Sequence, residues 1–342
     1  MSYQLFCMGN PLLDMQVRDG EKLLEKYELK ANDAILAGDK QAPIYDELVK
    51  DYEVTYVAGG AAQNAARGAA YILPAGSVVY TGAVGDDDLA EQLKAANKRE
   101  GLDQVYLVKK GEKTGACAVV ITGHHRSLVT TLRVAEKFEK SHLESAEVAP
   151  LIKGANYFYI EGYFLTHGLE PALYLSKSAS DAGKTFILNF SAPFIAQFFG
   201  SQLEEILPYT DIVIGNEAEA EAWATAKGYP DVKDLPAIAR EIAKFPKKNA
   251  SRPRIVIFTQ GANHTVVVVD GKPEAQIFPV DALADNQIVD TNGAGDAFAG
   301  GFLGALVSGK DLEGSVLAGH ALARACVQQV GPQYPQPKIN IL

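Results

Sequence analysis

Short apolar runs separated by longer segments of helical pattern recur along most of the chain. From residue 156 onward the alternation is regular, and each apolar run has the length of a buried strand. Strands are predicted there at residues 156–160, 185–189, 211–214 and 254–258, and helices near residues 170–182, 193–207, 216–227 and 232–245. Repeated strand–helix units predict an α/β fold whose mainly parallel sheet is covered by helices on both faces.

The N-terminal half and the C-terminal end depart from this regularity. Strands are predicted at residues 3–8, 54–58, 77–83 and 104–108, helices at residues 61–71 and up to residue 99, and a polar helical stretch at residues 21–53. Hairpins are predicted for residues 116–122 with 127–132, and for residues 266–269 with 275–280. Two helices near residues 294–308 and 311–329 precede a Pro-rich surface tail at residues 331–342.

The strand-rich segments outside the regular alternation predict a small second domain. We assign residues 1–13, 65–114 and 136–342 to a large α/β domain, and residues 14–64 and 115–135 to a discontinuous lid over the carboxyl edge of its sheet. Ligands of open α/β sheets bind outside that edge. Functional residues are therefore expected in the loops at residues 10–14, 161–164, 189–194, 216–219, 259–261 and 292–296.

Composition narrows the classes of function. The chain has 342 residues, 47% of them hydrophobic, which suits one large core or a core with a smaller domain. The net charge of −10 and the lack of a basic tract argue against a nucleic-acid partner. Cys7, Cys117 and Cys326 form no close pair, which predicts a reducing compartment, the cytoplasm, with the nucleus as an open alternative. No membrane-spanning run and no signal peptide are predicted.

The most informative segment is a Gly-rich turn between an apolar strand end and a helix of small residues. Backbone N–H groups of Gly293, Ala294 and Gly295 can converge on an anion at the start of this helix. The carboxylate of Asp296 lies beside these groups, where it would repel an anion. Its presence there is explained if it is needed as a base. The combination indicates phosphoryl transfer onto a hydroxyl group. The alternative is an ordinary strand-to-helix connection.

Two further segments are candidates for recognition of a sugar. Asn10 and Asp14 follow the first strand, and Asp14 can accept hydrogen bonds from the vicinal hydroxyls of ribose. Gly59 and Gly60 open a helix without bulky side chains, so that backbone can approach a ligand, and Asn64 lies one turn further on. Turn formation, capping and close helix packing are the alternatives.

A second pair of segments is suited to nucleotide phosphates. Asn216 and Glu219 follow a strand, where they can organise the water of a Mg²⁺ ion and phosphate, form a capping box, or do both. Thr259 and Gly261 end the next strand and can line a phosphate or ribose. His320 is structural by default and is kept as a nucleotide-binding candidate.

Aromatic and basic side chains complete the candidates. Phe164 and Phe194 can enclose a purine, although core packing is the commoner role of phenylalanine. Arg126, in the turn of the predicted lid hairpin, can swing over a transferring γ-phosphate when the lid closes. The sequence has neither the GxxxxGK[ST] motif of P-loop kinases nor the motif set of protein kinases, which excludes both classes.

Taken together, these segments resemble the ribokinase-like (PfkB) family of sugar and nucleoside kinases. Residues 59–64 match its N-terminal signature, residues 290–296 match its C-terminal DTxGAGD signature, and the resemblance covers nearly the whole chain. It implies a ribokinase-like three-layer sandwich with a mainly parallel central sheet and a small lid. It also implies ATP and Mg²⁺, with Asp296 as the base and residues 293–295 as the anion hole.

Within this family the segments are most similar to members that phosphorylate adenosine, and Asn292 is typical of them. The resemblance therefore implies adenosine and ATP as partners and a monomer. Implied ribose contacts are Asn10, Asp14, Gly60 and Asn64. Implied adenine contacts are Leu36, Leu128, Phe164 and Phe194. The implied phosphate and Mg²⁺ motif is Asn216 with Glu219, the metal being reached through water.

The sequence departs from the family pattern at two places. Tyr163 replaces a common Phe, and Ala61-Ala62 replaces a segment that often carries a hydroxyl.

Other functions are also open. The alternatives to phosphorylation of adenosine are another sugar or nucleoside kinase of this family and a non-catalytic nucleotide-binding protein on the same fold. A dinucleotide-dependent oxidoreductase is disfavoured, because no GxGxxG follows the first strand.

Overall fold

A computed structural model describes residues 3–30, 34–123 and 125–342. The strands are β1 (Leu5–Met8), β2 (Leu12–Arg18), β3 (Ala34–Leu36), β4 (Thr55–Gly59), β5 (Val78–Thr81), β6 (Ala83–Gly85), β7 (Asp103–Gln104), β8 (Leu107–Lys109), β9 (Gly115–Thr122), β10 (His125–Thr131), β11 (Tyr157–Glu161), β12 (Thr185–Asn189), β13 (Ile212–Asn216), β14 (Ile255–Thr259), β15 (His264–Val269) and β16 (Gln276–Pro279). The helices are α1 (Glu21–Lys26), α2 (Ile44–Asp51), α3 (Ala61–Ile72), α4 (Asp88–Glu100), α5 (Lys140–Leu143), α6 (Ala149–Gly154), α7 (Gly162–Leu165), α8 (Leu169–Asp181), α9 (Pro193–Phe198), α10 (Gly200–Ile206), α11 (Glu217–Ala226), α12 (Leu235–Ala243), α13 (Ala294–Val307) and α14 (Leu312–Cys326). Short 3₁₀ segments cover Arg133–Lys137, Leu207–Tyr209 and Asp285–Gln287.

A nine-stranded sheet forms the centre of the molecule, in the order β16-β15-β14-β13-β12-β11-β1-β5-β7. Seven neighbouring strands of this sheet are parallel, namely β7, β5, β1, β11, β12, β13 and β14. Strands β15 and β16 are added antiparallel at the β14 edge. The predicted α/β class and the mainly parallel sheet are confirmed. The carboxyl ends of the parallel strands meet at one edge, as predicted from the sequence.

Both faces of this sheet are buried, which explains why its strands are apolar along their whole length. In β1, Leu5 and Cys7 pack with α3, α13 and α14, whereas Phe6 and Met8 pack with α8 to α12 on the other face. Burying an aliphatic or aromatic side chain of this size contributes about 1.5–3 kcal/mol. The result is a helix–sheet–helix sandwich with a core on each side of the sheet.

A second, five-stranded sheet has the order β3-β10-β9-β2-β4. Helices α1 and α2 cover one of its faces, where Leu23 and Leu48 pack on Met15. The chain passes from β1 of the large sheet to β2 of the small one through residues 9–11, and it returns between β4 and α3. These two crossings carry the predicted sugar-binding residues. The small sheet uses the segments that we assign to the lid, and the domain boundaries stay a prediction.

Four predicted elements are wrong in detail. The stretch 21–53 is not helical throughout, because β3 lies inside it and pairs with β10. The strands predicted at residues 77–83 and 104–108 each break in two, since the chain leaves the large sheet at both places and β6 pairs with β8 instead. The helix predicted at residues 193–207 is interrupted at Phe199, whose φ and ψ of −122° and 27° are not helical.

The predicted surface tail is also wrong for its first residues. Tyr334 is buried and packs against Tyr71 of α3, with the ring centroids 5.3 Å apart and the ring planes tilted by 42°. The hydroxyl of Tyr71 donates to the carbonyl of Pro335 at 2.9 Å. The aromatic pair holds this segment on the helix layer, because burying Tyr334 outweighs the preference of a Pro-rich sequence for solvent. Among the residues described, no helix is both long and apolar enough to cross a membrane.

Candidate active site

A cavity of about 1000 Å³ lies between the small sheet and the carboxyl edge of the large sheet. Nearly all predicted site residues line it. They are Asn10, Asp14, Leu36, Gly60, Asn64, Leu128, Phe164, Phe194, Asn216, Glu219, Thr259, Gly261, Asn292, Gly293, Ala294, Gly295, Asp296 and His320. Gly59 and Arg126 lie outside this lining. The volume is sufficient for a drug-sized or larger ligand.

The predicted anion turn lies at the start of α13, but it follows a 3₁₀ segment and a loop and not the strand end that was predicted. Gly293 is the N-cap and has a φ of +78°, a left-handed conformation that glycine adopts without steric cost. The helix then begins at Ala294, whose N–H donates to the carbonyl of Thr291 at 3.2 Å, and the N–H groups of Gly295 and Asp296 in its first turn have no partner within the helix. A Cβ added at Gly295 would meet no atom within 4 Å, so a ligand can approach the backbone there.

Asp290, at the start of the same signature, holds this turn in place. One of its carboxylate oxygens accepts from the N–H of Asn292 at 3.0 Å, and the other accepts from the N–H of Gly331 at 2.6 Å. The second oxygen also forms an ion pair with Arg126 of β10, with an N–O distance of 2.8 Å. Arg126 therefore lies in β10 and not in the hairpin turn as predicted, and it is docked on the signature segment. Its contact with a γ-phosphate stays a prediction.

Asp296 lies in the first turn of α13, where the helix dipole favours a negative charge. Its Oδ2 accepts a hydrogen bond of 2.9 Å from the amide of Asn64 on α3. Burial raises the pKa of Asp296 to about 7, while that hydrogen bond and the charge of Arg67 oppose the rise. A carboxyl group with a raised pKa is a better base than an exposed aspartate.

The two crossings between the sheets form the predicted sugar-binding region. A Cβ at Gly60, whose φ is +86°, would lie 2.2 Å from the carbonyl oxygen of Asn10. A Cβ at Gly59 would lie 2.3 Å from Oδ1 of Asp14. Both glycines are therefore required by space. Burial raises the pKa of Asp14 to about 7, although Arg67 and Arg126 act in the opposite direction.

Asn10 has a partner that the sequence analysis did not identify. Nε2 of His167 lies 3.0 Å from Oδ1 of Asn10, and burial lowers the pKa of His167 to about 4, so the ring is neutral. Within the described part of the chain, the buried Nδ2 of Asn10 has no hydrogen-bond partner. Because Asn10 lines the cavity, this orphaned donor is available to a ligand.

The aromatic candidates serve the core and the cavity together. Phe164 is 1% exposed and packs on Phe138 and His167 at centroid distances of 5.6 and 5.2 Å. Phe194 is half-buried and contacts Tyr163 at 5.9 Å. Phe164 therefore packs in the core and also lines the cavity. Contact of these rings with a purine stays a prediction.

Asn216 and Glu219 form the predicted capping box of α11. The side chain of Asn216 accepts from the N–H of Glu219 at 2.9 Å, and Glu219 accepts from the N–H of Asn216 at 3.0 Å. Burial raises the pKa of Glu219 to about 7. The part of the chain that is described contains no cluster of three or more metal-ligating side chains. A single carboxylate on the cavity fits Mg²⁺, which usually retains waters and takes substrate phosphates as ligands.

Two candidates lie further along the cavity. Nε2 of His320 lies 2.7 Å from the hydroxyl of Thr265 on β15, and burial lowers the pKa of His320. The hydroxyl of Thr259 faces the carbonyl of Gly215 at 3.4 Å. His320 thus has both the structural contact expected by default and a place on the cavity wall.

Comparison with known proteins agrees with this geometry. The profile of the pfkB family carbohydrate kinases matches residues 21–339. The chain belongs to this family. This pfkB family member is 68% identical to adenosine kinase of Schizophyllum commune over 342 residues, covering 100% of this chain and 99% of the relative.

Solved structures agree as well. Anopheles gambiae adenosine kinase in complex with P1,P4-di(adenosine-5) tetraphosphate has a TM-score of 0.92 and 40% identity to this pfkB family member, covering 98% of this chain and 99% of that one. Adenosine kinase of Schistosoma mansoni in complex with 2-fluoroadenosine has a TM-score of 0.91 and 34% identity, covering 98% of each chain. The expected ribokinase-like fold is confirmed.

Two buried charges of this pfkB family member were missed by the sequence analysis. Glu161, 2% exposed at the end of β11, accepts from the hydroxyl of Tyr159 at 2.7 Å, and burial raises its pKa well above the usual range. Arg67 is 1% exposed in α3. It is the one charged residue of α3, whose other side chains are neutral and mostly small, and that contrast was the available signal.

Proposed function

We propose that this chain is an adenosine kinase, which transfers the γ-phosphoryl group of ATP to the 5′-hydroxyl of adenosine and yields AMP and ADP. The observation that carries the proposal is the placement of Asp296, the anion turn at residues 293–295 and the sugar-binding candidates around one cavity. The relative and the two solved structures described above are adenosine kinases, which agrees with this chemistry.

The proposed reaction is an in-line displacement at the γ-phosphorus. The 5′-oxygen of adenosine forms the new bond to phosphorus, and the bond to the β–γ bridging oxygen breaks, with ADP as the leaving group. Asp296 accepts the proton of the 5′-hydroxyl. Because the transition state of phosphoryl transfer is loose, the orientation of the hydroxyl by Asp296 contributes more than basicity.

Charge on the transferring group is taken up by fixed donors. Residues 293–296 line the cavity at the start of α13, and backbone N–H groups fixed there would need no reorganisation during the reaction. When bound, Mg²⁺ neutralises charge on the phosphate oxygens. Glu219, positioned by Asn216, is the side chain that would hold the metal through water. Closure of the small sheet over adenosine excludes water and so limits hydrolysis of ATP.

The experiment that tests the proposal is ADP formation from Mg-ATP with adenosine, inosine, guanosine, ribose and fructose in parallel. Activity with adenosine far above the others is expected, because the cavity combines sugar-binding candidates with aromatic side chains. Activity with ribose or fructose instead would keep Asp296 as the base and overturn the purine contacts. No activity with any of the five would overturn the proposal.

Replacement of Arg126 by alanine is expected to slow phosphoryl transfer by a factor on the order of 10²–10³, as for loss of one transition-state donor. Adenosine affinity should change little, because the proposed contact is with the γ-phosphate. Rapid-quench measurement of AMP formation, together with calorimetric binding of adenosine, checks both effects. Lys22→Ala, which removes an exposed cation of α1, is the control. An unchanged transfer rate in Arg126→Ala would remove this residue from the mechanism.

The compartment and the assembly complete the proposal. All three cysteines, Cys7, Cys117 and Cys326, are buried free thiols, which supports a reducing compartment, the cytoplasm. We propose that the active species is a monomer, as the resemblance to family members that phosphorylate adenosine implies.

A further inference from the structure

The guanidinium of Arg67 is buried behind the candidate active site, where it donates hydrogen bonds to several segments of the chain. It forms two hydrogen bonds with the carboxylate of Glu100, at 2.6 and 2.7 Å. It also donates to the carbonyl oxygens of Ala58 at 2.7 Å and Pro332 at 3.0 Å, and to Oδ1 of Asn64 at 3.0 Å. These partners belong to the end of β4, to α3, to α4 and to the segment after α14.

The contact with Asn64 fixes the orientation of an amide. A guanidinium donates hydrogen bonds and accepts none, so the oxygen of the Asn64 amide must face Arg67. The amide nitrogen must then face the opposite way, where it donates to Oδ2 of Asp296 at 2.9 Å. Arg67 therefore determines which group Asn64 presents to Asp296.

The hydrogen bond from Arg67 to the carbonyl of Pro332 links the guanidinium to the anion turn, because Pro332 packs against Gly293. A Cβ added at Gly293 would lie 2.6 Å from Cβ of Pro332, so the two residues are in direct contact. The hydroxyl of Tyr334 donates to the carbonyl of Asn64 at 3.0 Å, which ties the same segment to α3. One buried cation thus supports both the carboxylate and the phosphate-facing turn.

We propose that Arg67 is a positioning residue for phosphoryl transfer, which acts through Asn64 on Asp296 and through Pro332 on the anion turn. The inference rests on the proposed function, in which Asp296 is the base. Arg67 does not line the cavity, so it acts without touching substrate.

The charges around Asp296 determine the sign of the expected effect. Burial raises the pKa of Asp296, and the Asn64 hydrogen bond and the Arg67 charge lower it. The other titratable groups that interact with Asp296 are the carboxyls of Asp14, Glu161 and Glu219, the phenols of Tyr159, Tyr163 and Tyr334, and the thiol of Cys326. Loss of Arg67 removes the charge and frees the amide, so the pKa of Asp296 rises and less of the base is ionised at neutral pH.

The test uses Arg67→Met combined with Glu100→Leu, because removing one partner alone leaves a buried charge unpaired. The pH dependence of kcat/KM for adenosine and the carboxyl ¹³C titration of Asp296, assigned with Asp296→Asn, are measured in parallel. Both midpoints are expected to move upward by about one pH unit. Much of the activity lost at pH 6.5 should return at pH 8.5. Lys94→Met combined with Glu91→Leu, which removes a more exposed ion pair of the same helix α4, is the matched control and should keep the wild-type midpoints.

A non-additive effect of Asn64 is the second expected result. Asn64→Ala should shift the ¹³C midpoint less in the Arg67→Met/Glu100→Leu background than in the wild type, because the two residues act in series. Unmoved midpoints with a uniform loss of kcat at all pH values would reduce Arg67 to a structural role. A wild-type protein without activity on adenosine would overturn the proposed function, while the ¹³C titration would still decide whether Arg67 controls Asp296.

Discussion

Replacing Asp296 by asparagine is expected to lower the turnover of adenosine by a factor on the order of 10²–10⁴ or more, as for loss of a positioned base. Asparagine preserves the size of the side chain but cannot accept the proton of the 5′-hydroxyl. Adenosine binding should stay near normal, because the sugar-binding candidates lie on other elements. Steady-state turnover and calorimetric binding of adenosine separate the two quantities.

A stability measurement excludes unfolding as the cause of the loss. The pKa of Asp296 is raised in the folded protein, so ionisation opposes folding and the free energy of unfolding falls as pH increases toward 7. Asp296→Asn lacks this decline, and its Tm at pH 8 should therefore equal or exceed that of the wild type. Turnover near the wild-type value in this variant would rule out Asp296 as the base.

Replacing Asp14 by alanine should weaken adenosine binding by a factor on the order of 10²–10⁴, since each hydrogen bond to a charged group contributes about 1.5–3 kcal/mol. Turnover at saturating adenosine should fall much less, because Asp14 is proposed to hold the ribose hydroxyls and not the reacting 5′-oxygen. Calorimetric binding and steady-state kinetics check the two effects. Asp39→Ala, which removes an exposed carboxylate from the small-sheet segment, is the matched control.

Deoxynucleosides make the Asp14 prediction specific. The wild type should bind adenosine more tightly than 2′-deoxyadenosine or 3′-deoxyadenosine, because each analogue lacks one of the two hydroxyls. In Asp14→Ala this preference should largely disappear. Reduced turnover with unchanged adenosine affinity and unchanged preference would contradict the ribose role of Asp14.

Much of the fold follows from local patterns in the sequence. The strands β11 to β14 were predicted within a few residues, because both faces of a parallel sheet are buried and each strand is a continuous apolar run. Strand β3 was missed because it is short and lies at the edge of the small sheet, where pairing with β10 and not hydrophobic periodicity determines its conformation.

The candidate site divides in the same way. The anion turn and Asp296 are adjacent in the sequence, and the left-handed residue immediately before the helix explains the glycine there, so this part could be predicted. The network that holds Asp296 could not be predicted, since Arg67 is 33 residues from Glu100 and 265 residues from Pro332. No local pattern records contacts at such distances along the chain.

The sequence alone therefore determined the α/β class, the anion turn, its neighbouring carboxylate and most residues of the cavity wall. Each of these depends on residues that lie close together in the sequence. Only the tertiary structure decided that Arg126 pairs with Asp290, that the Pro-rich end packs behind Gly293, and that Arg67 orients Asn64 toward Asp296. The physical reason is that buried charges must find compensating partners wherever folding brings the chain together, whatever their separation in sequence.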